Sequence, residues 1–415
     1  MAASPRPDGA TVGAGRLAGL DPALYVGRGQ TYAKHVLLRQ YLQELAFKVL
    51  QSPNPPQEFL YIDGFSGPWQ SRGESFEDTS FSISLSLLTD VREALAARGR
   101  FPRMKAVFVE EKAAAYARLQ EAVGRFPRIE VLALRGCFED RMTEITALLG
   151  PSTFMFAFLD PCGWKGIALR RIAPLIAHRP GEILVNVMTN SLVRHATFDG
   201  VSASAGEFFG GGEWLAELEE ATARLGNREM AIVDLYLRRL KAAAGFEYVA
   251  TTRIRDPDAA RTYFHLAYGT RHHAGMEVFR RSEKRCVDVQ ERAAAHAYHE
   301  RREQQAGTRD LFREAGDDGS VAAFEAWRGE AQAQAKAEFD GWLLTGRATR
   351  ASARRAVLMQ HPYVDAPLVN RWMRDAVKMG MLHREPLGSD ELWTPQAVQD
   401  GLASRVEWMS SISSR

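Results

Sequence analysis

The chain has 415 residues, 46% hydrophobic and 25% charged, with a formal net charge of +2. That length allows two or three domains, the composition is that of a globular protein, and near-neutrality excludes a global field toward nucleic acid or membrane, leaving only a local basic patch open. No apolar run approaches the roughly 20 residues of a membrane span. The three cysteines, Cys137, Cys162 and Cys286, are scattered, which argues against a disulfide framework or a cysteine zinc site and suits a reducing cytoplasm.

Residues 1–20 are rich in Gly, Ala and Pro, lack an apolar signal core, and read as a flexible tail. Thr31 to Leu50 reads as an amphipathic helix, with Val36, Leu37, Tyr41, Leu45 and Val49 near one stripe, stopped by the prolines of Ser52–Pro56. A strand over Leu60–Ile62 runs into Asp63-Gly64-Phe65-Ser66-Gly67-Pro68, an acid followed at once by a Gly-rich turn. A helix from Ser80 to Ala97 follows, then a strand Lys105–Val109 ending at Glu110, a helix Ala113–Arg125 and a strand Ile129–Leu134. After a short helix comes the strand Thr153–Leu159, ending at Asp160-Pro161, then another helix and the strand Glu182–Val187. Strands that alternate with helices and are apolar throughout predict a parallel sheet covered on both faces.

The pattern then changes. Asn227 caps a helix running to Ala244, with Gly245 past its end, and two strands follow, Phe246–Ile254 and Thr262–Gly269. The short turn Arg255-Asp256-Pro257-Asp258 permits only antiparallel pairing. Five parallel strands and a terminal hairpin are the layout of the class I methyltransferase (Rossmann-like) α/β sheet. Gly275 to about Gly307 is helix-prone and charged and reads as a solvated connector; Ser320 to Leu344 is a further helix. From Ser352, a helix to Gln360, a break at His361-Pro362, a helix Ala366–Met379 and strands Met381–Arg384 and Leu392–Thr394 give the plan of a winged helix. The resulting division is tail 1–20, α/β domain 21–300, helical connector 301–347 and winged-helix-like domain 348–415.

Four strand ends point to one crevice: Asp63, Glu110, Gly136-Cys137-Phe138 and Asp160-Pro161. Acids there accept hydrogen bonds from ribose hydroxyls or amines, and an apolar ring covers a base, so the arrangement suits a nucleoside ligand. Each element also has a plain structural role, as a tight turn at Asp63 and Gly67, a loop acid at Glu110, or a strand terminator at Asp160-Pro161. Cys162 reads as a small packed residue rather than a nucleophile. Arg194 and His195 suit either an acidic substrate or a salt bridge. His272 and His273 lack metal-ligand spacing and read as surface or capping residues.

Several segments carry a family resemblance: Lys34-His35 with Tyr41-Leu42, YIDGFSGP, FVE at Phe108–Glu110, LDPCGW at Leu159–Trp164, LVNVMTNSLVRH at Leu184–His195, FFGGGEW at Phe208–Trp214 and YGTRHHAGMEVF at Tyr268–Phe279. Over roughly residues 30 to 300 the chain resembles the three-Cys-motif partner (TcmP) family, itself similar to S-adenosylmethionine-dependent methyltransferases. The resemblance implies a three-Cys-motif protein, radical or iron–sulfur-like, as partner. It implies that Asp63, Gly64, Phe65, Ser66 and Gly67 form the loop at the cofactor's methionine end. Glu110 then takes the ribose, Cys137 and Phe138 border the adenine, and Asp160 and Pro161 stand at the catalytic mouth, orienting a target amine. Two positions depart from the family pattern: Trp69 replaces a glycine and Cys137 an acid.

On the helix before the wing, Arg371, Arg374 and Lys378 share one face opposite Val369, Trp372, Met373 and Ala376, with Arg350, Arg354 and Arg355 upstream. That face suits nucleic-acid phosphates, and equally a solvated surface or a protein contact. Two functions remain open: methyl transfer carried out with the partner, with nucleic acid or a nucleotide as one candidate acceptor, or a non-catalytic adaptor with a degenerate methyltransferase fold that recruits the partner and binds nucleic acid through its winged helix. Trp69 and Cys137 favour the adaptor.

Overall fold

In the computed structural model, residues 19–67, 71, 76–195, 202–256, 261–306 and 320–396 are described. Most of the expected tail, Trp69, and Pro257 and Asp258 of the expected turn lie outside them. A 3-10 turn, Pro22–Tyr25, is capped by Asp21, whose carboxylate accepts from the Ala23 N–H at 2.9 Å. Then come α1 (Gly29–Leu50), β1 (Glu58–Asp63), α2 (Ser80–Ala96), β2 (Arg103–Glu110), α3 (Ala113–Val123) and β3 (Glu130–Arg135). A 3-10 turn at Phe138–Arg141 leads to α4 (Met142–Thr146), β4 (Thr153–Leu159), α5 (Leu169–Ile176) and β5 (Gly181–Val187). After α6 (Thr189–His195), α7 (Ser202–Phe208), α8 (Trp214–Leu225) and α9 (Arg228–Ala244) come β6 (Tyr248–Arg255) and β7 (Thr262–Thr270). The chain continues through α10 (His273–Ala306), α11 (Ser320–Thr345), β8 (Thr349–Arg350), α12 (Ala351–Leu358), α13 (Ala366–Lys378), β9 (Leu382–Leu387) and β10 (Asp390–Pro395).

The strand order is β3-β2-β1-β4-β5-β7-β6, with β7 antiparallel to both its neighbours and the other pairings parallel. This is the class I methyltransferase-like sheet. Its central strands β1, β4 and β5 are buried at every position because each face has its own core. Phe59 and Tyr61 of β1, with Phe154, Phe156 and Phe158 of β4, pack under α1, α2, α3 and α10. Leu60 and Ile62, with Met155, Ala157 and Leu159, pack under α4, α5, α8 and α9. A one-residue slip would exchange the two cores, so their different side-chain sizes fix the register.

Asn227 accepts from the Met230 N–H at 3.1 Å, and Gly245 closes α9 in the left-handed conformation, φ 64°. The glycines of the FFGGGEW run, Gly210, Gly211 and Gly212, all have positive φ, a turn that other residues adopt only under strain. Arg239 holds that turn through the carbonyls of Phe209 (3.0 Å) and Gly211 (2.6 Å).

The segment from Gly275 is not a solvated connector. It opens α10, which lies along α1 and buries Met276, Val278, Phe279, Arg280, Cys286 and Val287. Its charge density conceals a narrow apolar stripe, and one of its buried charges is paired. Arg280, 1% exposed, binds Glu283 (2.7 Å) and the carbonyls of Thr251 (3.0 Å), Met359 (2.7 Å) and Gln360 (3.0 Å). That one guanidinium joins α10, β6 and the end of α12. The Glu283 carboxylate accepts from the Tyr363 N–H (3.1 Å), and the Gln360 side chain from the Val249 N–H (3.2 Å).

Beyond this junction a third core forms around Phe339, Leu343, Leu358, Val369, Met373 and Trp393. Helices α11, α12 and α13 pack there with the sheet β8-β10-β9. No helix among the described residues is long and apolar enough to cross a membrane.

Arg280→Met leaves Glu283 buried without its cation and three carbonyls short of a donor. It is expected to lower unfolding stability by about 3–5 kcal/mol in denaturant titration, with part of the loss recovered by adding Glu283→Met.

Candidate functional site

The site is set by register at the sheet's carboxyl edge. Asp63, the last residue of β1, is level with Phe108 on β2 and Phe158 on β4. Glu110 and Asp160 each stand two residues further along their strands. Successive connections run from β1 toward β3 on one side and through β4 and β5 on the other, and the crevice opens where that order reverses.

The loop after Asp63 is tied to both neighbours. The Gly64 N–H donates to the Phe158 carbonyl (3.1 Å) and the Ser66 N–H to the Val109 carbonyl (2.9 Å). Asp63 Oδ1 accepts from the Phe65 N–H (3.1 Å), and the Ser66 hydroxyl donates to the Asp63 carbonyl (2.9 Å). A Cβ on Gly64 would lie 2.9 Å from Leu159 Cδ2 and 3.0 Å from the Phe138 ring, so glycine is required there by packing beneath the loop.

Above the edge lies a cleft of ≈ 980 Å³. Phe65 and Gly67 line it, with Asp160, Pro161, Cys162 and Trp164 after β4, Glu111 and Lys112 after β2, and His195 on α6. The cleft thus gathers one part of the expected set and leaves the rest in its wall. Asp63, Gly64, Ser66, Glu110 and Phe138 are buried behind the lining, and Cys137 is half-buried beside them. Glu110 Oε1 accepts from the Lys112 N–H at 2.6 Å, and burial raises its carboxyl pKa against that bond. Phe138 packs on Phe65, ring centres 5.8 Å apart, and Phe65 reaches across to Gly166.

Asp63 is fully buried, and its Oδ2 has no hydrogen-bond partner among the described residues. Burial pushes its carboxyl up to about 6, against the Ser80 hydroxyl and the Phe65 N–H, which favour the charged form. Cys162 is exposed and lines the cleft, so the sequence expectation of a packed residue does not hold; it sits on a loop just past the end of β4, beyond the cover of the helices. Burial pushes the Cys137 thiol up, so it stays protonated. His272 is the capping residue expected, its Nδ1 accepting from the Ala274 N–H at 3.1 Å, and no metal-binding cluster exists among the described residues.

The residues missed from sequence come from α1 and β5. Lys34 of α1 forms an ion pair with Asp160 Oδ2, and Asn186 of β5 donates to Asp160 Oδ1 at 2.7 Å. His35 is buried, hydrogen-bonded through Nδ1 to the Tyr25 hydroxyl (3.0 Å), and held neutral because burial and then the Lys34 charge lower its pKa to about 3. Arg28 pairs with Asp78, which also accepts from the Ser71 hydroxyl at 2.6 Å. The available signal was Lys34-His35 itself, two polar residues on the inward stripe of a helix, where burial demands partners.

A raised carboxyl pKa stabilises the fold at low pH and loses that contribution as pH rises from about 4 through about 6. Above that range the buried Asp63 carboxylate is a net cost. Asp63→Asn is therefore expected to raise the Tm at pH 7.5, with the gain shrinking toward pH 4, when melting curves of both proteins are compared across that range.

No family model and no curated protein match the chain. Among solved structures it is similar to a loganic acid methyltransferase with SAH, at 11% identity and TM-score 0.32, over 70% of this chain and 92% of that one. It is also similar to the O-methyltransferase TomG of Streptomyces achromogenes, involved in tomaymycin synthesis and in complex with SAM, at 18% identity and TM-score 0.27, over 56% and 79%. A third is a Legionella pneumophila protein, at 11% identity and TM-score 0.33, over 57% and 84%. At such scores the fold assignment rests on the strand order and not on these likenesses.

Proposed function

We propose that this chain binds S-adenosylmethionine across the carboxyl edge of its sheet and directs methyl transfer at the mouth formed by Asp160, Pro161 and Lys34. The observation that carries this reading is the ≈ 980 Å³ cleft at the switch point of a β3-β2-β1-β4-β5-β7-β6 sheet. The lining fits the group. Phe65 and Gly67 offer an apolar ring and exposed backbone, Glu111 and Lys112 offer polar atoms at the β2 edge, and the unpartnered Asp63 Oδ2 lies beneath the loop. The bound group supplies an electrophilic methyl carbon. The protein's part is position: the β1 loop seats the group, and the Lys34–Asp160–Asn186 set orients the acceptor.

The segments YIDGFSGP, LDPCGW and YGTRHHAGMEVF support a three-Cys-motif protein as partner. We read α12, α13, β9 and β10 as a winged helix whose exposed Arg371, Arg374 and Lys378 contact nucleic-acid phosphates. The second reading, a non-catalytic adaptor, is favoured by the inward burial of Asp63 and Glu110, the acids assigned to the cofactor by resemblance.

Calorimetric titration with S-adenosylmethionine and S-adenosylhomocysteine tests the choice. Micromolar binding is expected, weakened about tenfold or more in Asp63→Asn although that variant melts higher. Folded protein that binds neither moves the assignment to the adaptor. Arg371→Glu combined with Arg374→Glu is expected to weaken duplex binding and to reduce the salt dependence by about two counterions; an unchanged slope removes nucleic acid from that face.

A further inference from the structure

We propose that residues 397–415 of this chain dock in an apolar groove between α11 and α13 and complete the third core. The groove encloses ≈ 210 Å³. Its walls are Phe339, Leu343 and Leu344 of α11, Trp372 of α13, Met379 at the end of α13 and Met381 before β9. Phe339, Leu343 and Met381 belong to the third core, and Leu344 and Trp372 pack against it. The groove is therefore a side on which that core stays open, and Met379 at its rim is 50% exposed. A small unit has little apolar surface to spare, so an opening onto its core favours a cover. The volume lies below the roughly 300–1,000 Å³ of small-molecule sites and suits side chains better than a free ligand.

The choice of occupant follows from where the chain runs. The Gln396 N–H donates to the Met381 carbonyl at 3.0 Å, so the chain passes out of the described residues beside the groove. Leu402 is six residues beyond Gln396, a length of chain that spans about 20 Å when extended. A segment tethered so near is held at an effective concentration on the order of millimolar, which favours it over a separate partner of equal affinity.

The sequence of that segment matches the groove in pattern and in charge. Leu402, Val406 and Met409 recur at i, i+4 and i+7, with Arg405 at i+3, the spacing of one helix face. A helix of such length is marginal in water and gains its stability from a surface to pack on. The polar members of the groove are Lys336, Asp340 and Asp375. Lys336 pairs with both oxygens of Asp340, at 2.6 and 2.8 Å. Asp375 is exposed and has no ion pair among the described residues. One cation against two acids leaves the groove negative. Arg405 lies within the apolar stripe, where docking removes it from water and an acid must meet it. Arg371, Arg374 and Lys378 lie outside the groove's lining, so the docked segment and the basic face of α13 occupy different surfaces.

The experiment is peroxide footprinting of Met379 in the full chain, read by mass spectrometry, with the double variant Leu402→Asp/Met409→Asp alongside. Met379 is expected to oxidise about fivefold or more slowly in the parent than in the variant, and equally so in dilute and concentrated solution. Asp375→Arg and Arg405→Asp, both polar exchanges outside the described cores, are each expected to speed the oxidation, and the two together to restore the slow rate. Equal rates in the parent and Leu402→Asp/Met409→Asp overturn the proposal. So do charge reversals that leave the rate unchanged. Protection that disappears on dilution also overturns it and assigns the groove to a second copy of the chain.

Discussion

Asp160 is the point on which the upper face of the molecule depends. It ends β4 and is gripped from α1 by Lys34 and from β5 by Asn186. Those contacts span 126 and 26 residues of chain. They fix the helix that roofs the cleft to the strands that floor it. A carboxylate removed from water needs such partners, because an unpaired buried charge costs several kcal/mol. The same demand explains why Lys34 and His35 sit on the inward side of α1. One answers the acid, and the other stays neutral against Tyr25.

A second buried polar set does comparable work at the opposite edge. Glu182, at the start of β5, accepts from the hydroxyls of Tyr41 and Thr270, while the Tyr41 hydroxyl oxygen accepts from the Tyr268 hydroxyl at 2.8 Å. Burial raises the Glu182 carboxyl pKa, and the hydroxyls offset part of that cost. Helix α1 is thus fastened to the sheet at two points, by Lys34 in its first half and by Tyr41 near its middle. Arg280 extends the same principle to the C-terminal unit through its hydrogen bonds to the Met359 and Gln360 carbonyls.

The acids at the sheet edge divide by how far they project. Asp63 stops level with the phenylalanines of its neighbours and is covered, while Asp160 stands two residues further and reaches the cleft. Glu110 projects as far as Asp160, but turns back to the Lys112 N–H at the start of α3. Equivalent residue types on neighbouring strands therefore occupy different environments, and of the three only Asp160 lines the cleft.

The sequence by itself determined the sheet. Continuous apolar runs of strand length, separated by helix-length amphipathic segments, leave few arrangements other than a parallel sheet covered on both faces, and the short link before Thr262 forces the last pair to be antiparallel. The Asn227 cap and Gly245 stop were legible because capping is a local matter. Two features were not. The charged stretch from Gly275 reads as solvated, since only three-dimensional packing shows that its narrow apolar stripe meets α1 and that Arg280 finds carbonyls from β6 and α12. The site was half legible: strand ends identify the edge, because register is local to each strand. Which acids face outward, and the pairing of Lys34 with Asp160, was decided by tertiary structure, because the cover over Asp63 comes from neighbouring strands and Lys34 lies 126 residues from Asp160 in the chain.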